Sequence, residues 1–276
     1  MTDDYRFALT ALDPAELDAT ARLLRAVFPK ARHLTADYLH WKYVANPDGR
    51  AIGCNAYLGD ALVGHMSASP MRVRIGGEEE KGLFFENGAV LPEHRGRKLQ
   101  SRISAAMFEE AERQGYAAAV GSGNRYSTGP LLTRFKLVKQ LEARIGFGIP
   151  ARRTEAFQPS FERVWSEEAL RWRLSNPQHD YAARGGQILA PTGLAGISAV
   201  LHDRSGLPDS GPDGPGPLRV WIGLDPGIDW RRSRYLSIPP RLRRSPLNLV
   251  FRDLTGGGLL PDPDRFVFRA IDFDPW

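Results

Sequence analysis

Segments with the apolar spacing of strands alternate with segments with the spacing of helices through the first 145 residues of the chain. Over 14–28, apolar residues recur every three or four positions directly after Asp13 and Pro14, which predicts a helix with Asp13 as its N-cap. Strands are predicted over 54–58, 61–69, 71–75, 83–91, 116–120 and 136–145, and further helices over 96–114 and 130–135. This alternation predicts a mixed α/β fold, with a mixed sheet flanked by helices.

Length and composition narrow the class of protein. The 276 residues allow one large domain or two modest ones, and the formal net charge is only +5. Cys54 is the single cysteine, which excludes an internal disulfide and a cysteine metal cluster and fits a reducing compartment. The chain has no signal-peptide pattern at its start, and its longest uncharged stretch is too polar to span a membrane. We therefore expect a soluble cytoplasmic protein without a metal site; a homo-oligomer is compatible with the sequence.

An internal repeat divides the chain. The segment 39–42 (LHWK) is matched by 170–173 (LRWR), and each is followed within a few residues by Asn-Pro. A further match pairs 62–64 (LVG) with 194–196 (LAG), and the offset stays between 130 and 132. A helix that ends in Asn-Pro and precedes a hairpin, found twice in the same order, predicts a duplicated unit. The alternative is that Trp and Asn-Pro recur by chance.

A strand, a short loop rich in arginine and glycine, and a helix follow one another over 86–101 (ENGAVLPEHRGRKLQS). The Asn87-Gly88 pair within the strand predicts a bulge or a close backbone approach. The start of a helix offers free backbone N–H groups and a positive dipole end, which suit an anion such as a pyrophosphate. Arg95, Arg97 and Lys98 add positive charge there, and Gly96 lets the backbone come close. The alternative is an ordinary basic helix start without a ligand.

The pattern Val-x-Pro-x-x-Arg-Gly-Arg, which begins at Val90, resembles the acetyl-CoA motif of the GNAT superfamily of N-acyltransferases. The order of elements from 13 to 145 also resembles the GNAT fold, so the resemblance covers about half the chain. In the family pattern Gln/Arg-x-x-Gly-x-Gly/Ala, Arg95 fits the first place, whereas Lys98 and Gln100 stand at the two small-residue places. The resemblance implies an acetyl-CoA-binding GNAT-like domain over 1–150 and a degenerate GNAT-like domain without the cofactor loop over 151–276.

The resemblance also implies a cofactor site. The pantetheine arm of acetyl-CoA is expected to pair with the bulged strand, and residues after the fifth strand are expected to touch the cofactor. The expected cofactor-binding residues are Asn87, Ala89, Val90, Arg95, Gly96, Arg97, Lys98, Leu99, Gln100, Ser101, Asn124 and Ser127.

Two catalytic candidates follow from the same resemblance. Transfer to an amine needs a proton acceptor, because an ammonium has no free lone pair, and Glu86 stands on the bulged strand where relatives often carry a general base. The alternative for Glu86 is an ion pair with an arginine, and His94 is a second candidate base. Many relatives place a tyrosine on the short helix after the fifth strand to protonate the thiolate. That segment lacks one here, and Tyr126 is the candidate to serve instead.

These expectations define a function and its alternatives. The chain is interpreted as an N-acetyltransferase that moves an acetyl group from acetyl-CoA to a primary amine of a small molecule, such as an amino sugar. One alternative is a non-catalytic CoA- or ligand-binding module, which the replaced glycines and the missing tyrosine favour. Another is a nucleic-acid-binding protein, which the small net charge disfavours. Its basic cluster comprises Arg231, Arg232, Arg234, Arg241, Arg243 and Arg244. The aromatic residues Trp41, Tyr43, Trp172 and Trp221 are expected to line an acceptor pocket or to pack in the core.

Overall fold

Short helices and many strands make up the part of the chain that the computed structural model describes, which comprises residues 4–203, 217–243 and 245–273. The helices are α1 (Pro14–Val27), α2 (Ala36–Tyr43), α3 (Leu99–Arg113), α4 (Thr128–Leu131) and α5 (Glu167–Leu174). The strands are β1 (Tyr5–Leu9), β2 (Ile52–Leu58), β3 (Ala61–Ile75), β4 (Glu78–Val90), β5 (Ala118–Gly123), β6 (Lys136–Gln140), β7 (Glu142–Phe147), β8 (Phe161–Arg163), β9 (Ala182–Arg184), β10 (Gln187–Pro191), β11 (Ile197–Asp203), β12 (Leu218–Leu224), β13 (Tyr235–Ser237), β14 (Asn248–Asp253) and β15 (Phe268–Arg269).

The first helix begins where its sequence signals place it. The Asp13 carboxylate accepts a hydrogen bond from the Glu16 backbone N–H at 2.9 Å, and Pro14 occupies the first turn. Leu17, Ala21 and Leu24 are buried on one face of the helix. The predicted helix over 14–28 and its N-cap are therefore confirmed.

The first sheet has the strand order β1-β2-β3-β4-β5-β14-β6, and β8 pairs with the end of β3. All its neighbouring strands are antiparallel except β4 and β5, which are parallel. Helix α3 packs against this sheet through buried Leu99, Ile103 and Met107. The strand predicted over 71–75 is not separate, because β3 continues through Pro70 to Ile75.

The second sheet has the order β13-β7-β12-β11-β10-β9, with β15 beside β12. It too contains a parallel pair, β11 and β12, among antiparallel neighbours. The expected mixed α/β class is confirmed, and two mixed sheets fit two GNAT-like units.

The two sheets exchange one strand each. Strand β7 lies between β12 and β13 of the second sheet, whereas β14 lies between β5 and β6 of the first. The single strand predicted over 136–145 is therefore wrong: it divides at buried Leu141 into β6 and β7, which belong to different sheets. A boundary near residue 150 divides the sequence but not the two sheets.

Helices α2 and α5 repeat each other in detail. Thr35 caps α2 and Ser166 caps α5, each through a side-chain oxygen that accepts a backbone N–H in the first turn. Asn46 and Asn176 then each accept a hydrogen bond from the backbone N–H two residues on. An antiparallel strand pair follows the helix in both halves, β2–β3 after α2 and β10–β11 after α5. The segments 62–64 and 194–196 are not equivalent, however, because the first lies in β3 and the second in the turn before β11.

Candidate active site

Strand β4 carries a bulge at the predicted position. Opposite Met66 of β3 stand two residues of β4, Asn87 and Gly88, because the register shifts by one residue there. Asn87 has a φ of 55°, in the left-handed region that asparagine tolerates better than most residues. The bulge turns the end of the strand and interrupts its ladder. This confirms the interpretation of Asn87-Gly88.

Strands β4 and β5 are hydrogen-bonded to each other over only three residues each. Their parallel ladder covers only Gly82–Phe84 of β4 and Ala118–Val120 of β5, whereas β14 pairs with the opposite edge of β5 along its whole length. The Phe85 ring lies across Gly121 in the opening, where a Cβ atom on Gly121 would be only 2.3 Å from the ring. Beyond Phe84, the edge of β4 that faces β5 therefore has no strand partner among the described residues, and the Phe85 ring packs over Gly121 there.

An exposed basic loop follows β4 and leads into α3. Arg95, Gly96, Arg97 and Lys98 are exposed, whereas Leu99 is buried and anchors the first turn of the helix. The N-terminus of α3 has neither a side-chain cap nor an acidic residue in its first turn. Gln100 and Ser101 are exposed in that turn. The arrangement presents backbone N–H groups and positive charge to an incoming anion.

Lys98 adopts the left-handed conformation that glycine favours, with φ 59° and ψ 20°. This is one of the two places where the family pattern has a small residue. We expect Lys98→Gly to raise the free energy of unfolding by about 0.5–1 kcal/mol, because glycine avoids most of the left-handed penalty. Urea denaturation checks the change, with Lys98→Ala as the control that keeps the penalty. An equal effect of both substitutions contradicts the expectation.

Tyr5 of β1 contacts the basic loop through two of its residues, His94 and Arg97. Its hydroxyl lies 2.9 Å from Nδ1 of His94 and accepts a hydrogen bond from the Arg97 guanidinium at 2.7 Å. The rings of Tyr5 and His94 meet edge to face. His94 therefore packs against Tyr5 in the loop. The Arg95 side chain also turns back, and its Nε donates to the Val90 carbonyl at 3.2 Å.

Glu86 lies between α2 and β3, with only 10% of its side chain exposed. One carboxylate oxygen accepts a hydrogen bond from Ser69 at 2.6 Å, and the other is 2.6 Å from Nζ of Lys42. The ion pair expected as the alternative for Glu86 is present, but its partner is Lys42 on α2 and not an arginine. The carboxyl group is held in place from two sides.

Asn87 is held by Tyr43, which follows Lys42 in helix α2. Its side-chain amide donates to the Tyr43 hydroxyl at 2.6 Å. Burial, with a smaller contribution from the negative charge of Glu86, raises the pKa of Tyr43, so its phenol stays protonated at neutral pH. The end of α2 thus contacts both residues at the start of the bulge.

The segment after β5 forms a compact turn. The Asn124 side chain accepts hydrogen bonds from the backbone N–H groups of Tyr126 and Ser127, and the Asn124 N–H donates to the Ser127 hydroxyl. Because β4 and β5 are parallel, this turn lies at the same end of the sheet as the basic loop. The Tyr126 side chain is 80% exposed. The helix predicted over 130–135 is displaced to Thr128–Leu131 and carries no tyrosine.

The aromatic candidates pack in the interior. Trp41, Tyr43 and Trp221 are at most 8% exposed, and Trp172 is half-buried against the α1–α2 cluster. They pack in the core, as the alternative interpretation expected.

The basic cluster lies mainly around the second sheet. A cleft of about 660 Å³ is lined there by Arg144, Arg153, Trp230, Arg231 and Arg232 among others. Arg243 is tied to two backbone carbonyls, and Arg244 lies outside the described residues.

Two further features bear on the class of site. Within residues 4–203, 217–243 and 245–273, no group of three or more histidine, cysteine or acidic residues could hold a metal ion. None of the described helices has the length and apolar character needed to cross a membrane.

Comparison with known proteins agrees with this geometry. Residues 9–135 match the family model described as an acetyltransferase (GNAT) domain. No curated protein matches the sequence significantly.

Similar solved structures include a probable N-acyltransferase from Enterococcus faecalis V583, with 11% identity and a TM-score of 0.65. A GCN5-related N-acetyltransferase from Kribbella flavida has 12% identity and a TM-score of 0.61. Each alignment covers 91% of this chain and 73% of the other. Eis1 from Mycobacterium abscessus has 9% identity and a TM-score of 0.57, with coverage of 91% and 74%. At these identities the likeness concerns the fold alone.

The family model matches the part of the chain that contains strands β4 and β5 and the basic loop before α3. They support an acyltransferase in general terms. Residues 9–135 thus match an acetyltransferase (GNAT) domain, and the chain shares its fold with solved structures of N-acetyltransferases of that type.

Proposed function

We propose that this chain is an N-acetyltransferase that moves an acetyl group from acetyl-CoA to a primary amine of a small molecule. The observation that carries the proposal is the opening between β4 and β5 directly before an uncapped helix start. The opening offers backbone groups to an extended pantetheine arm, and the helix start suits a pyrophosphate. We also infer that residues 1–150 contribute the acetyl-CoA-binding unit and that 151–276 contribute a GNAT-like unit without a cofactor loop.

The residues present fit acetyl-CoA. Asn87, Ala89 and Val90 lie along the open side of β4 and are the candidates to bind the pantetheine arm through their backbone. Asn124 and Ser127 stand at the end of β5, on the other side of the opening. The residues for the pyrophosphate are Arg95, Gly96, Arg97, Lys98, Leu99, Gln100 and Ser101.

Glu86 is the proposed base. The bound acetyl-CoA supplies the acyl group, and the carboxylate of Glu86 accepts the proton that the amine must lose. The bonds from Ser69 and Lys42 fix the two carboxylate oxygens, so the base needs little reorganisation. Tyr126 is the proposed acid, and its exposure leaves it free to turn toward the opening.

A panel of primary amines, including amino sugars, tests the activity. We expect free thiol to appear in proportion to acylated amine when acetyl-CoA is supplied. Binding of CoA without turnover of any amine contradicts the catalytic proposal.

The charge reversal Arg97→Glu is expected to weaken acetyl-CoA binding by about 1.5–3 kcal/mol, because it places repulsion where a charge-assisted bond forms. Calorimetry measures the change. Arg241→Glu is the matched control, because Arg241 is exposed and lies beyond the second sheet's edge strand. Equal affinities in all three proteins contradict the placement of the phosphate site.

A binding module without chemistry is the second candidate. The position of the Gln100 side chain favours such a module. Its amide nitrogen lies over Gly88, 3.0 Å from the place that a Cβ atom on Gly88 would occupy. It also donates to the sulfur of Met66 at 3.1 Å, which holds it over the bulge. Retained CoA in the purified protein, together with no thiol release across the amine panel, supports this alternative.

A further inference from the structure

We propose that Trp172, which belongs to the second half of the chain, is a positioning residue for the bulge of β4. Trp172 holds α2 through a reciprocal pair of hydrogen bonds, and α2 holds Glu86 and Asn87. The inference rests on the proposed function only in calling the bulge catalytic. It assigns the second half a specific task in the site of the first.

The two tryptophans form a symmetric pair. Nε1 of Trp41 donates to the Trp172 carbonyl at 3.0 Å, and Nε1 of Trp172 donates to the Trp41 carbonyl at 2.9 Å. The rings stack with centroids 4.9 Å apart and planes 19° apart. Each helix therefore supplies both a donor and an acceptor to the other. The pair fixes the position and the rotation of α2 relative to α5.

Helix α2 depends on such contacts. It has only eight residues, and a helix of that length is marginal without tertiary packing. On the other side of the pair, α5 is tied down by buried Arg173, whose Nε donates to the Ile271 carbonyl at 3.3 Å and whose NH1 donates to the Tyr181 hydroxyl at 2.7 Å. The second half thus gives α2 a fixed support.

The residues that directly follow Trp41 reach the bulge. Lys42 pairs with Glu86 at 2.6 Å, and Tyr43 accepts from Asn87 at 2.6 Å. Both contacts are shielded, because Tyr43 is fully buried and the side chains of Lys42 and Glu86 are 10% exposed. Two adjacent residues of one helix therefore hold two adjacent residues of one strand. A rotation of α2 must move both contacts together.

Asn87 shows why this support matters. Its left-handed φ carries a conformational penalty, which surrounding contacts must offset. The bond to Tyr43 is such a contact. Loss of the α2 position releases Asn87 from the bulge conformation and moves the Glu86 carboxylate, even though neither residue touches Trp172.

Hydrogen exchange of the whole chain, without acetyl-CoA, tests the inference. We expect Trp172→Ala to speed amide exchange over residues 84–90 by about 10-fold, and Trp172→Phe, which keeps the stacked ring, to have a smaller effect. Trp230→Ala is the matched control, because Trp230 packs on Trp221 and Tyr235 of the second sheet. If Trp172→Ala does not fold, Trp41→Phe is measured in its place, because it removes the hydrogen bond from Trp41 Nε1 to the Trp172 carbonyl.

A double-mutant cycle adds a second readout. If the path runs through α2, Tyr43→Phe combined with Trp172→Phe should speed exchange over 84–90 little more than the stronger single change. Faster exchange in α2 with unchanged exchange over 84–90, equal effects of Trp172→Ala and Trp230→Ala, or fully additive effects in the cycle each overturn the inference.

Turnover measured in parallel separates this inference from the proposed function. If Trp172→Ala speeds exchange over 84–90 but the protein acylates no amine, the positioning role of Trp172 stands and the catalytic proposal is contradicted. In an active protein, we expect kcat to fall about 10-fold in Trp172→Ala, because a small displacement of the base suffices for that loss. Normal kcat with normal exchange in that variant overturns the inference while the function stands.

Discussion

Replacing Glu86 with glutamine is expected to lower the rate of acyl transfer by about 10²–10⁴-fold, because the amide cannot accept the proton of the attacking amine. The affinity for CoA should change little, since the Glu86 side chain contacts Lys42 and Ser69 and not the basic loop. Steady-state rates of thiol release with the best amine, and calorimetry with CoA, measure the two quantities.

The substitution also removes the carboxylate charge beside Lys42 at a nearly buried position, which lowers stability. Lys42→Met combined with Glu86→Gln is therefore the control: it removes both charges, and we expect it to melt nearer to the unmodified protein while remaining slow. A rate close to that of the unmodified protein across roughly pH 6–9 would remove Glu86 from the mechanism.

A fragment that ends at residue 150 is expected to show no cooperative unfolding transition. It lacks β14, which lies between β5 and β6, so both of those strands lose a partner. Leu249, Val250 and Phe251 of β14 are at most 1% exposed. Burial of such side chains contributes roughly 1.5–3 kcal/mol each, and their sum is comparable to the roughly 5–15 kcal/mol that stabilises a whole protein.

Calorimetric melting and circular dichroism of the fragment check this expectation. Co-expression with residues 151–276 is the matched control, since it restores β14 and should recover a single transition in the reassembled pair. A fragment that melts cooperatively on its own and binds CoA with the affinity of the full chain contradicts the importance of the exchanged strand.

Features with a local cause could be predicted from the sequence. Helix α1 follows from Asp13, Pro14 and its apolar spacing, and the β2–β3 hairpin follows from Gly59 and Asp60. The bulge follows from Asn87-Gly88 inside an apolar strand. The basic loop before α3 was also visible, because helix starts and clustered arginines occupy consecutive positions.

Features that join distant residues could not be predicted in the same way. Nothing near Tyr5 indicates that its hydroxyl meets His94 and Arg97. Lys42 in a short helix would ordinarily be solvent-exposed, so its pairing with Glu86 carries no local sign. The glycine at 121 was a further signal in this region, because only a residue without Cβ admits the Phe85 ring there.

The exchange of β7 and β14 has a consequence for how the chain folds during synthesis. Strand β14 follows most strands of the second sheet in the sequence, yet Val250 pairs with Gly121 in the middle of the first sheet. That sheet therefore stays incomplete until residues 248–253 have left the ribosome. Contacts of such long sequence separation slow folding, and the open gap between β5 and β6 can capture a strand from another copy meanwhile. The yield of correctly folded protein should accordingly fall as the concentration of nascent chains rises.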